Sequence, residues 1–320
     1  MTSVSVIIPT YNRESCIKRS IDSVLNQSFS DFELIVVDDC SVDDTEKVVK
    51  SYSDSRIKYL KSKINQGGGA ARNIGIEFAQ GQYVAFQDSD DVWLPDKLER
   101  CMDSFSQSAN NVGVVFSSYL KCKDNLLYLV PDGVPSKLIK VGDLAIVGKN
   151  YIGTPTAVVR RDLLITVGGF DVSMPRYQDW ELFIRLSKVC DFFFIDEPLV
   201  LAFFSEGAIS GNRSSHFCAV KIIYDKNMSD IETSAALKGA WMLKFADAYL
   251  RSGRRRAGVS CIFKALKYGG LRFRTILMLC FALIFNGPAY ESCMLLASKI
   301  KARLRQRYLR KYLGLVSPNF

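Results

Sequence analysis

Three carboxylates crowd into four positions of the sequence, at Asp88, Asp90 and Asp91 of the stretch FQDSDDVW. Carboxylates this close repel one another unless a cation lies among them. Oxygen ligands without histidine or cysteine suit Mg²⁺ or Mn²⁺, which commonly also hold substrate phosphates. If the preceding strand stays extended, Asp88 and Asp90 point to the same side. We therefore predict a metal-binding pair, the alternative being an acidic loop before a helix that Asp96 could cap.

Three further stretches carry residues that suit a nucleotide. NQGGGAARN places glycines before a predicted helix, where backbone N–H groups and Arg72 could bind a diphosphate, although a plain glycine-rich turn is the alternative. Asp38 and Asp39 end an apolar run, where a carboxylate could bind a nucleobase or ribose, or only cap the strand. PTYNR follows the first apolar run, and its Tyr11 could stack on a base.

A candidate general base stands in the stretch RYQDWELFIRL. Asp179 opens a predicted helix there, and the helical spacing of Trp180, Phe183, Ile184 and Leu186 predicts a buried face. An aspartate at a helix start is either an N-terminal cap or a group positioned for proton transfer. The residues of this stretch alone leave both roles open.

A repeating strand and helix pattern would position these stretches. VSVIIP, FELIVVDD, RIKYLK and QYVAF are predicted strands separated by predicted helices, which indicates a parallel sheet wrapped by helices. Ligands bind such sheets at the carboxyl ends of the strands. The polar stretches PTYNR, DDCS, NQGGGAARN and QDSDD each follow one of the four predicted strands and so fall at those ends. Further along, VGVVFSSYL and TPTAVVRR are predicted strands, DFFFIDEPLVLAFF is predicted to hold two short ones, and the chain is predicted mainly helical from about residue 214.

Composition narrows the class of protein. The 320 residues are 48% hydrophobic, enough for a folded domain with an appendage or for two domains. Nine scattered cysteines without a CxxC pair argue against a disulfide framework or a zinc site. The single histidine, His216, makes a histidine-rich metal site unexpected, and we predict that it lies on the surface or in a loop.

The charge is uneven along the chain. Residues 251–320 contain 15 Lys and Arg residues and one acid, Glu291, which gives them a net charge of +14. The basic stretch KIKARLRQRYLRKYL predicts either an amphipathic helix on an anionic inner-membrane surface or a helix packed on the catalytic domain with a solvated basic face. We expect no nucleic-acid partner, because no recognised binding module accompanies the charge.

Neither the beginning of the chain nor its apolar runs predict membrane insertion. MTSVSVIIPTYN lacks the basic n-region of a signal peptide. The longest apolar run, from Ile276 to Phe285, is about half of a membrane-spanning helix. We therefore expect a cytoplasmic protein, peripheral on the cytoplasmic face of the inner membrane if the basic tail binds lipid.

Taken together, these stretches resemble the family-2 type inverting glycosyltransferases of the GT-A fold. The stretches VSVIIPTYNR, ELIVVDDCSVDDT, NQGGGAARNIGI, YVAFQDSDDVWLPDKLE and GGFD with YQDWELFIRL follow the family's order across about residues 3–210. The resemblance implies an α/β, Rossmann-like mixed, mainly parallel sheet flanked by helices in residues 1–212. Residues 213–320 would then form a mainly helical, basic C-terminal region that could associate with a membrane.

The resemblance also implies an activity. The enzyme would transfer a hexose or N-acetylhexosamine from a nucleotide-diphosphate sugar, with UDP favoured, to a saccharide or lipid-linked saccharide acceptor. It would depend on Mn²⁺ or Mg²⁺ and serve bacterial capsule, O-antigen or exopolysaccharide biosynthesis.

Individual roles follow from the same resemblance. Asp39 would contact uracil with Asp38 in support, and Arg72 would lie near the diphosphate. Asp88 and Asp90 would bind the metal, with Asp90 as the direct ligand, and Asp179 would be the catalytic base. The predicted donor-binding residues are Pro9, Thr10, Tyr11, Asn12, Arg13, Asp38, Asp39, Asn65, Gly67, Arg72, Asp88 and Ser89.

The chain departs from the family pattern at two places. Gln178 stands where many relatives carry glutamate, although the second acid of that pair, Asp179, is kept. Phe203, Phe204 and Ser205 stand where relatives often place a basic residue and a histidine, so a histidine contact to the metal or diphosphate is in doubt.

Three other functions fit parts of the sequence. DSDDV satisfies the motif of haloacid-dehalogenase phosphatases, but it follows the fourth predicted strand and not the first. A sugar-nucleotide nucleotidyltransferase would carry a glycine-rich loop where PTYNR stands. A non-catalytic binding module would be expected to have lost Asp90 or Asp179, and both are present.

Overall fold

Alternating strands and helices form the first half of the sheet, as predicted. The computed structural model describes residues 2–131, 133–143, 145–203, 213–268, 288–309 and 312. The first elements are β1 (Val4–Thr10), α1 (Ile17–Leu25), β2 (Phe32–Asp38), α2 (Thr45–Lys50), β3 (Ile57–Lys61), α3 (Gly68–Phe78) and β4 (Tyr83–Phe86). These strands pair in parallel in the order β3-β2-β1-β4. Every residue of β1 and β2 is buried, because helices cover both faces of the sheet.

The second half of the sheet is mixed. Its elements are β5 (Val92–Trp93), α4 (Lys97–Gln107), β6 (Val112–Lys123), β7 (Leu126–Val130), β8 (Leu138–Ile139), α5 (Ala145–Gly148), β9 (Ala157–Arg160), α6 (Arg161–Val167), α7 (Gln178–Leu186) and β10 (Asp191–Phe203). The sheet continues from β4 through β9, β6 and β10 to β5. Strand β9 runs antiparallel to β4 and β6, whereas β10 runs parallel to β6. The predicted mixed α/β sheet flanked by helices is confirmed.

Residues Asp191–Phe203 of the stretch DFFFIDEPLVLAFF form one strand, so the prediction of two short strands is wrong. Strand β10 stays paired with β6 along its length, with shifts in register on both sides of Pro198. Extra residues there bulge out of the ladder, which bends the strand without ending it. The polar DEP segment therefore marks a bulge in a continuous strand.

The two faces of the sheet bury separate apolar clusters. One cluster includes Ile7 and extends through Trp180 of α7 to Trp241. The other includes the neighbouring residue Ile8 and lies under α1 and α4 with Trp93. Successive strand residues point to opposite faces, so each strand contributes to both clusters.

The described part of the C-terminal region is helical, as predicted. Its helices are α8 (Arg213–Lys226), α9 (Met228–Glu232), α10 (Ala235–Arg251), α11 (Arg255–Lys267) and α12 (Pro288–Leu309). Trp241 of α10 stacks on Trp180 of α7 with ring centroids 5.3 Å apart. The Gln306 side chain of α12 bonds to both backbone polar groups of Leu127 in β7. These helices pack on the sheet domain, and the division at residue 212 stays a prediction.

None of the helices within the described ranges combines the length and apolar content that a membrane-spanning segment requires. The apolar run from Ile276 to Phe285 lies outside the described residues.

Candidate active site

The acidic loop turns sharply where β4 ends. The Asp91 N–H donates to the Asp88 carbonyl at 3.1 Å, and the chain turns at Ser89 and Asp90. The extended geometry assumed for placing Asp88 and Asp90 on one side is therefore absent, because the turn redirects successive side chains. Asp96 precedes α4, but within the described structure its side chain makes no capping hydrogen bond.

Arginines from neighbouring elements hold this acidic loop. Arg72 of α3 pairs with the Asp88 carboxylate at 2.6 Å. Arg13 lies 3.9 Å from the Asp90 carboxylate, and Arg19 of α1 donates to the Asp90 carbonyl. The loop is thus positioned by cations from both sides of the sheet edge.

Asp91 shows how crowded the negative charge is. Burial first, and then the charges of Asp88 and Asp90, raise the pKa of the Asp91 carboxyl well above its usual range. Its carboxylate accepts the Phe203 N–H at 3.0 Å, which ties the acidic loop to the end of β10.

The donor set of this loop fits a hard divalent cation. Carboxylate oxygens are the ligands that Mg²⁺ and Mn²⁺ prefer, and a cation would offset the repulsion at Asp91. Within the described ranges, no group of three or more His, Cys, Asp or Glu side chains could hold a metal by itself. A cation held by Asp88 and Asp90 would therefore need further oxygen ligands from a substrate.

Asp39 shapes the glycine-rich turn that follows β3. Its carboxylate accepts the N–H groups of Gln66 at 2.9 Å and Gly67 at 2.6 Å. Gly67 has a φ of +89°, which a residue with a side chain adopts only with strain. Asn65 lies exposed beside this turn. A carboxylate has about four acceptor sites, so Asp39 can accept a further hydrogen bond from a ligand.

Asp38 has a structural position. Its side chain is fully buried and accepts hydrogen bonds from the Ser41 N–H at 2.7 Å and from the Tyr59 hydroxyl. These bonds hold the end of β2 and so support the neighbouring Asp39.

The loop after β1 lies against the loop after β2. The Asn12 N–H donates to Ser41 Oγ at 2.8 Å, and Asn12 Oδ1 accepts the Val42 N–H at 2.9 Å. Pro9 and Thr10 are buried at the end of β1, and Thr10 Oγ1 has no hydrogen-bond partner among the described residues. Tyr11 is 44% exposed, so its ring is accessible to a ligand.

Asp179 is not the N-terminal cap of α7. Tyr177 holds the cap position with a left-handed φ of 60°, and Asp179 lies in the first turn. The Asp179 carboxylate accepts the Trp180 N–H at 2.8 Å and the Asn150 side-chain amide at 3.3 Å. The role of N-terminal cap is therefore excluded, and the role of general base stays a prediction.

Electrostatics connect Asp179 to the acidic loop. Burial is the main cause that raises the pKa of Asp179, and the charges of Arg72 and Asp88 also act on it. A carboxyl with a raised pKa is better matched to accept a proton near neutral pH. A Cβ added at Gly69 would come within 2.8 Å of the Gln178 side chain, so the glycine-rich turn packs directly on the start of α7.

The predicted surface or loop location of His216 is wrong. His216 lies half-buried on α8, and its Nδ1 is 2.8 Å from the Tyr177 hydroxyl. Helix α8 packs beside α7. This places the His216 imidazole next to Tyr177, two residues before the candidate base Asp179. Phe203 ends β10, whereas Phe204 and Ser205 lie outside the described residues.

Several residues of the site carried no sequence signal. Asn150, which donates to the Asp179 carboxylate, lies outside every stretch that the sequence analysis singled out. Arg19 lies on the polar side of helix α1, where the sequence predicts an ordinary exposed side chain. In the structure its guanidinium donates to the Asp90 carbonyl of the acidic loop. Tyr119 of β6 is half-buried, and burial first, then the charges of Asp179, Asp91 and Asp88, raise the pKa of its phenol.

The sequence matches a known family over the region that builds this site. A family model described as "Glycosyl transferase family 2" matches residues 5–165. This chain belongs to glycosyl transferase family 2. It is therefore a glycosyltransferase, and the phosphatase, nucleotidyltransferase and binding-module interpretations are set aside.

Two curated relatives place the enzyme among bacterial glycosyltransferases. It is 35% identical over 189 residues to the UDP-Glc:alpha-D-GlcNAc-diphosphoundecaprenol beta-1,3-glucosyltransferase WfgD of Escherichia coli, covering 58% of this chain and 70% of WfgD. It is 47% identical over 102 residues to TuaG of Bacillus subtilis, named as a putative teichuronic acid biosynthesis glycosyltransferase. That match covers 31% of this chain and 40% of TuaG.

Solved structures confirm the GT-A fold. Staphylococcus aureus TarS 1-349 in complex with UDP-GlcNAc matches with a TM-score of 0.62 at 21% identity, covering 87% of this chain and 84% of TarS. The mannosyltransferase PcManGT of Pyrobaculum calidifontis, in complex with GDP-Man and Mn2+, matches with a TM-score of 0.59 at 20% identity. That match covers 95% of this chain and 87% of PcManGT.

Proposed function

We propose that this glycosyltransferase moves a hexose or N-acetylhexosamine from a UDP-sugar to a hydroxyl of a saccharide or lipid-linked saccharide, with inversion at the anomeric carbon. The observation that carries the proposal is that the glycine-rich turn at Gly69 packs directly on Gln178, beside Asp179, where the charges of Arg72 and Asp88 act on the Asp179 carboxyl. A candidate base thus lies next to the groups suited to a diphosphate, as an in-line displacement requires.

The residues around the glycine-rich turn would bind the donor. Backbone N–H groups at the start of α3 and the Arg72 guanidinium suit the diphosphate. Asp39 would accept a hydrogen bond from the base, with Asp38 holding the strand end behind it. Tyr11 would stack on the base, and Thr10 Oγ1 would gain a partner in the bound state.

Asp179 would take the proton from the acceptor hydroxyl. A sugar hydroxyl is a weak nucleophile, so a positioned base accelerates its attack on the anomeric carbon. The donor diphosphate leaves from the opposite face, and a single displacement with one base inverts the anomeric centre. No enzyme nucleophile is needed.

Asp88 and Asp90 are the residues that would hold Mn²⁺ or Mg²⁺, which when bound offsets the charge that grows on the leaving diphosphate. Arg72 and Arg13 pair with these carboxylates and lie near enough to contribute to the same neutralisation.

The pathway we propose is bacterial surface-polysaccharide assembly at the cytoplasmic face of the inner membrane. WfgD is named for a diphosphoundecaprenol-linked acceptor, and TuaG for teichuronic acid biosynthesis. Leu295, Leu296 and Ile300 of α12 are exposed within the basic C-terminal region, which suits an anionic lipid surface. Binding to anionic but not neutral liposomes, lost at high salt, would support this location; equal behaviour with both would contradict it.

A panel of nucleotide sugars tests the donor. Each is added with Mn²⁺ to the full chain and scored for hydrolysis and for protection against thermal unfolding. We expect one UDP-sugar to protect and be hydrolysed, and chelation of the metal to remove both effects. Protection by UDP-sugars that persists with chelator would contradict the metal dependence, and no response to any donor would contradict the proposed function.

A further inference from the structure

The end of β6 lies beside the loop that holds the candidate base. Tyr119 is near the carboxyl end of β6, and a Cβ added at Gly153 would lie 3.3 Å from its ring. Gly153 follows Asn150 by three residues, and the Asn150 side chain donates to the Asp179 carboxylate. The charge of Asp179 also acts on the Tyr119 phenol. The last residues of β6 are therefore on the Asp179 side of the candidate active site.

Two cationic side chains lie at this end of the site without an anionic partner. Lys121 follows Tyr119 by two residues in β6, so the two side chains lie on the same face of the strand. Arg176 lies three residues before Asp179, and its guanidinium is 4.8 Å from the centre of the Tyr177 ring. Lys121 and Arg176 are both half-buried, and neither pairs with a carboxylate within the described part of the chain.

The surroundings of Lys121 are unfavourable to its charge. Burial first, and then the charges of Lys123 and Arg176, lower the pKa of Lys121, whereas the charge of Asp91 raises it. Lys121 and Arg176 are therefore close enough to repel each other. Like charges that are half-buried together destabilise a protein unless an anion lies between them. Such a pair beside a candidate active site indicates a binding site for an anionic group of a substrate.

The position of these cations along the sheet edge favours the acceptor over the donor. Tyr11 and Asp39, which are predicted to bind the nucleobase, follow β1 and β2, and the acidic loop follows β4. Because β9 is antiparallel to both β4 and β6, these two strands run in the same direction. Lys121 thus lies two strands, or about 10 Å across the sheet, beyond the acidic loop. A donor that spans β2 to β4 leaves the β6 end for the acceptor.

We propose that Lys121 and Arg176 bind a carboxylate of the acceptor, which would make the acceptor an acidic saccharide with a uronate residue. A carboxylate fits the fork of the Arg176 guanidinium, and the Lys121 ammonium would complete its neutralisation. The Tyr119 hydroxyl makes no hydrogen bond among the described residues, so it is available to a sugar oxygen. The inference rests on the proposed function and adds the chemical class of the acceptor to it.

The local charge favours a carboxylate over a phosphate. Asp88 and Asp179 act on the Tyr119 phenol at the same end of β6, so negative charge is already present there. A doubly charged phosphate would meet about twice the repulsion that a singly charged carboxylate meets. We therefore expect the two cations to select an acidic sugar and not a sugar phosphate.

Three matched glycosides separate the anionic group from the sugar. Methyl β-D-glucuronide carries a carboxylate where methyl β-D-glucoside carries a hydroxymethyl group, and methyl β-D-glucoside 6-phosphate carries a phosphate ester there. Binding of each glycoside to the full chain, with UDP and Mn²⁺ present, is measured by ligand-observed NMR titration. Binding of UDP with Mn²⁺ is measured separately by calorimetry.

Single charge removals identify the residues that bind the carboxylate. The variants are Lys121→Gln and Arg176→Gln, and the control is Arg161→Gln. Arg161 is also half-buried and makes no ion pair in the described ranges, but it follows β9 at the opposite edge of the sheet. The control therefore removes the same charge far from the end of β6.

We expect the wild-type chain to bind the glucuronide about tenfold more tightly than the glucoside. Lys121→Gln and Arg176→Gln should each lose most of that difference, with binding of the glucoside and of UDP unchanged. Arg161→Gln should behave as wild type.

Equal wild-type affinity for the glucuronide and the glucoside would overturn the inference, and so would tighter binding of the 6-phosphate than of the glucuronide. Loss of UDP binding in Lys121→Gln or Arg176→Gln would place these cations at the donor diphosphate, which also overturns it. A wild-type chain that binds no UDP would instead contradict the proposed function, so the two failures can be told apart.

Discussion

Arg72 and Asp88 form an ion pair of 2.6 Å that joins the glycine-rich turn to the acidic loop. Both residues are predicted to serve the donor, one at the diphosphate and one at the metal. In the ligand-free protein they neutralise each other, which stabilises an acidic loop that would otherwise repel itself. Donor and metal binding should therefore compete with this ion pair.

Removing the arginine separates the two roles. Arg72→Gln should weaken nucleotide-diphosphate binding by about tenfold or more, because a charge-assisted contact is lost. It should tighten Mn²⁺ binding in the absence of nucleotide, since Asp88 loses its cationic partner. Arg160→Gln is a matched control, because Arg160 pairs with Asp162 at the same 2.6 Å at the amino-terminal end of β4. Weaker Mn²⁺ binding in Arg72→Gln would contradict the competition.

Asp179→Asn tests the base directly. The amide keeps the size of the side chain but cannot accept the proton, so transfer should fall by at least about 100-fold. Nucleotide and Mn²⁺ binding, followed by calorimetry, should stay close to wild type. Turnover retained in this variant would remove Asp179 from the role.

The pH dependence of transfer should report the raised pKa of Asp179. Burial favours the protonated carboxyl, so the active base form is lost as the pH falls through a pKa above the ordinary aspartate value. The pH at which kcat/KM falls on the acidic side should therefore be higher than for an ordinary aspartate. Asn150→Ala removes a hydrogen bond that stabilises the carboxylate, so this limb should move to still higher pH. A shift to lower pH in Asn150→Ala would contradict the assignment.

A buried lysine offers a test of stability. Lys97 Nζ is buried without a hydrogen-bond partner among the described residues, 3.6 Å from the centre of the Trp93 ring. Burial lowers the pKa of Lys97 from 10.5 to about 8, so the cost of the charge is complete below pH 8 and disappears as the pH rises to 10.5. The whole cost of the buried charge is about 3 kcal/mol, and a cation–π contact worth about 1–2 kcal/mol offsets part of it.

Lys97→Met should therefore raise the free energy of unfolding at pH 7 by about 1–2 kcal/mol, measured by urea denaturation. Most of the gain should vanish at pH 10, where the lysine is largely neutral when folded. Lys47→Met, at an exposed position, is the control and should change little at either pH. An equal gain at both pH values would show that packing and not charge is responsible.

Truncation tests the predicted boundary at residue 212. A chain ending there loses Trp241 and exposes the Trp180 face of α7, so we expect a lower unfolding temperature and poor solubility. In the full chain, Trp241→Ala should cost about 3–5 kcal/mol by chemical denaturation. A truncated chain that unfolds at the wild-type temperature would instead establish residues 1–212 as an independent domain.

Local patterns were sufficient for the parallel half of the sheet and for the edge at which the polar loops lie. The apolar runs of β1 and β2 are buried on both faces, which makes them recognisable without any partner in view. Because those strands run parallel, the polar residues that follow each strand had to lie at one edge of the sheet. Asp39, Arg72 and Asp88 were predicted on that ground, and their neighbouring positions are now observed. Their roles toward a donor stay predictions.

Local patterns failed where one residue's position depends on a distant partner. The DEP segment looked like a strand end, but pairing with β6 carries β10 through it as a bulge. Asp88 and Asp90 were assigned to one side by strand alternation, which the turn at Ser89 removes. His216 looked like a surface residue until the packing of α8 brought it to Tyr177.

By itself the sequence determined the family, the parallel half of the sheet and the edge at which the polar loops converge, because period and composition are properties of contiguous residues. Only the tertiary structure decided that Asn150 donates to Asp179 and that Trp241 covers Trp180. Those relationships join residues far apart in the chain, and side-chain packing between separate elements selects them.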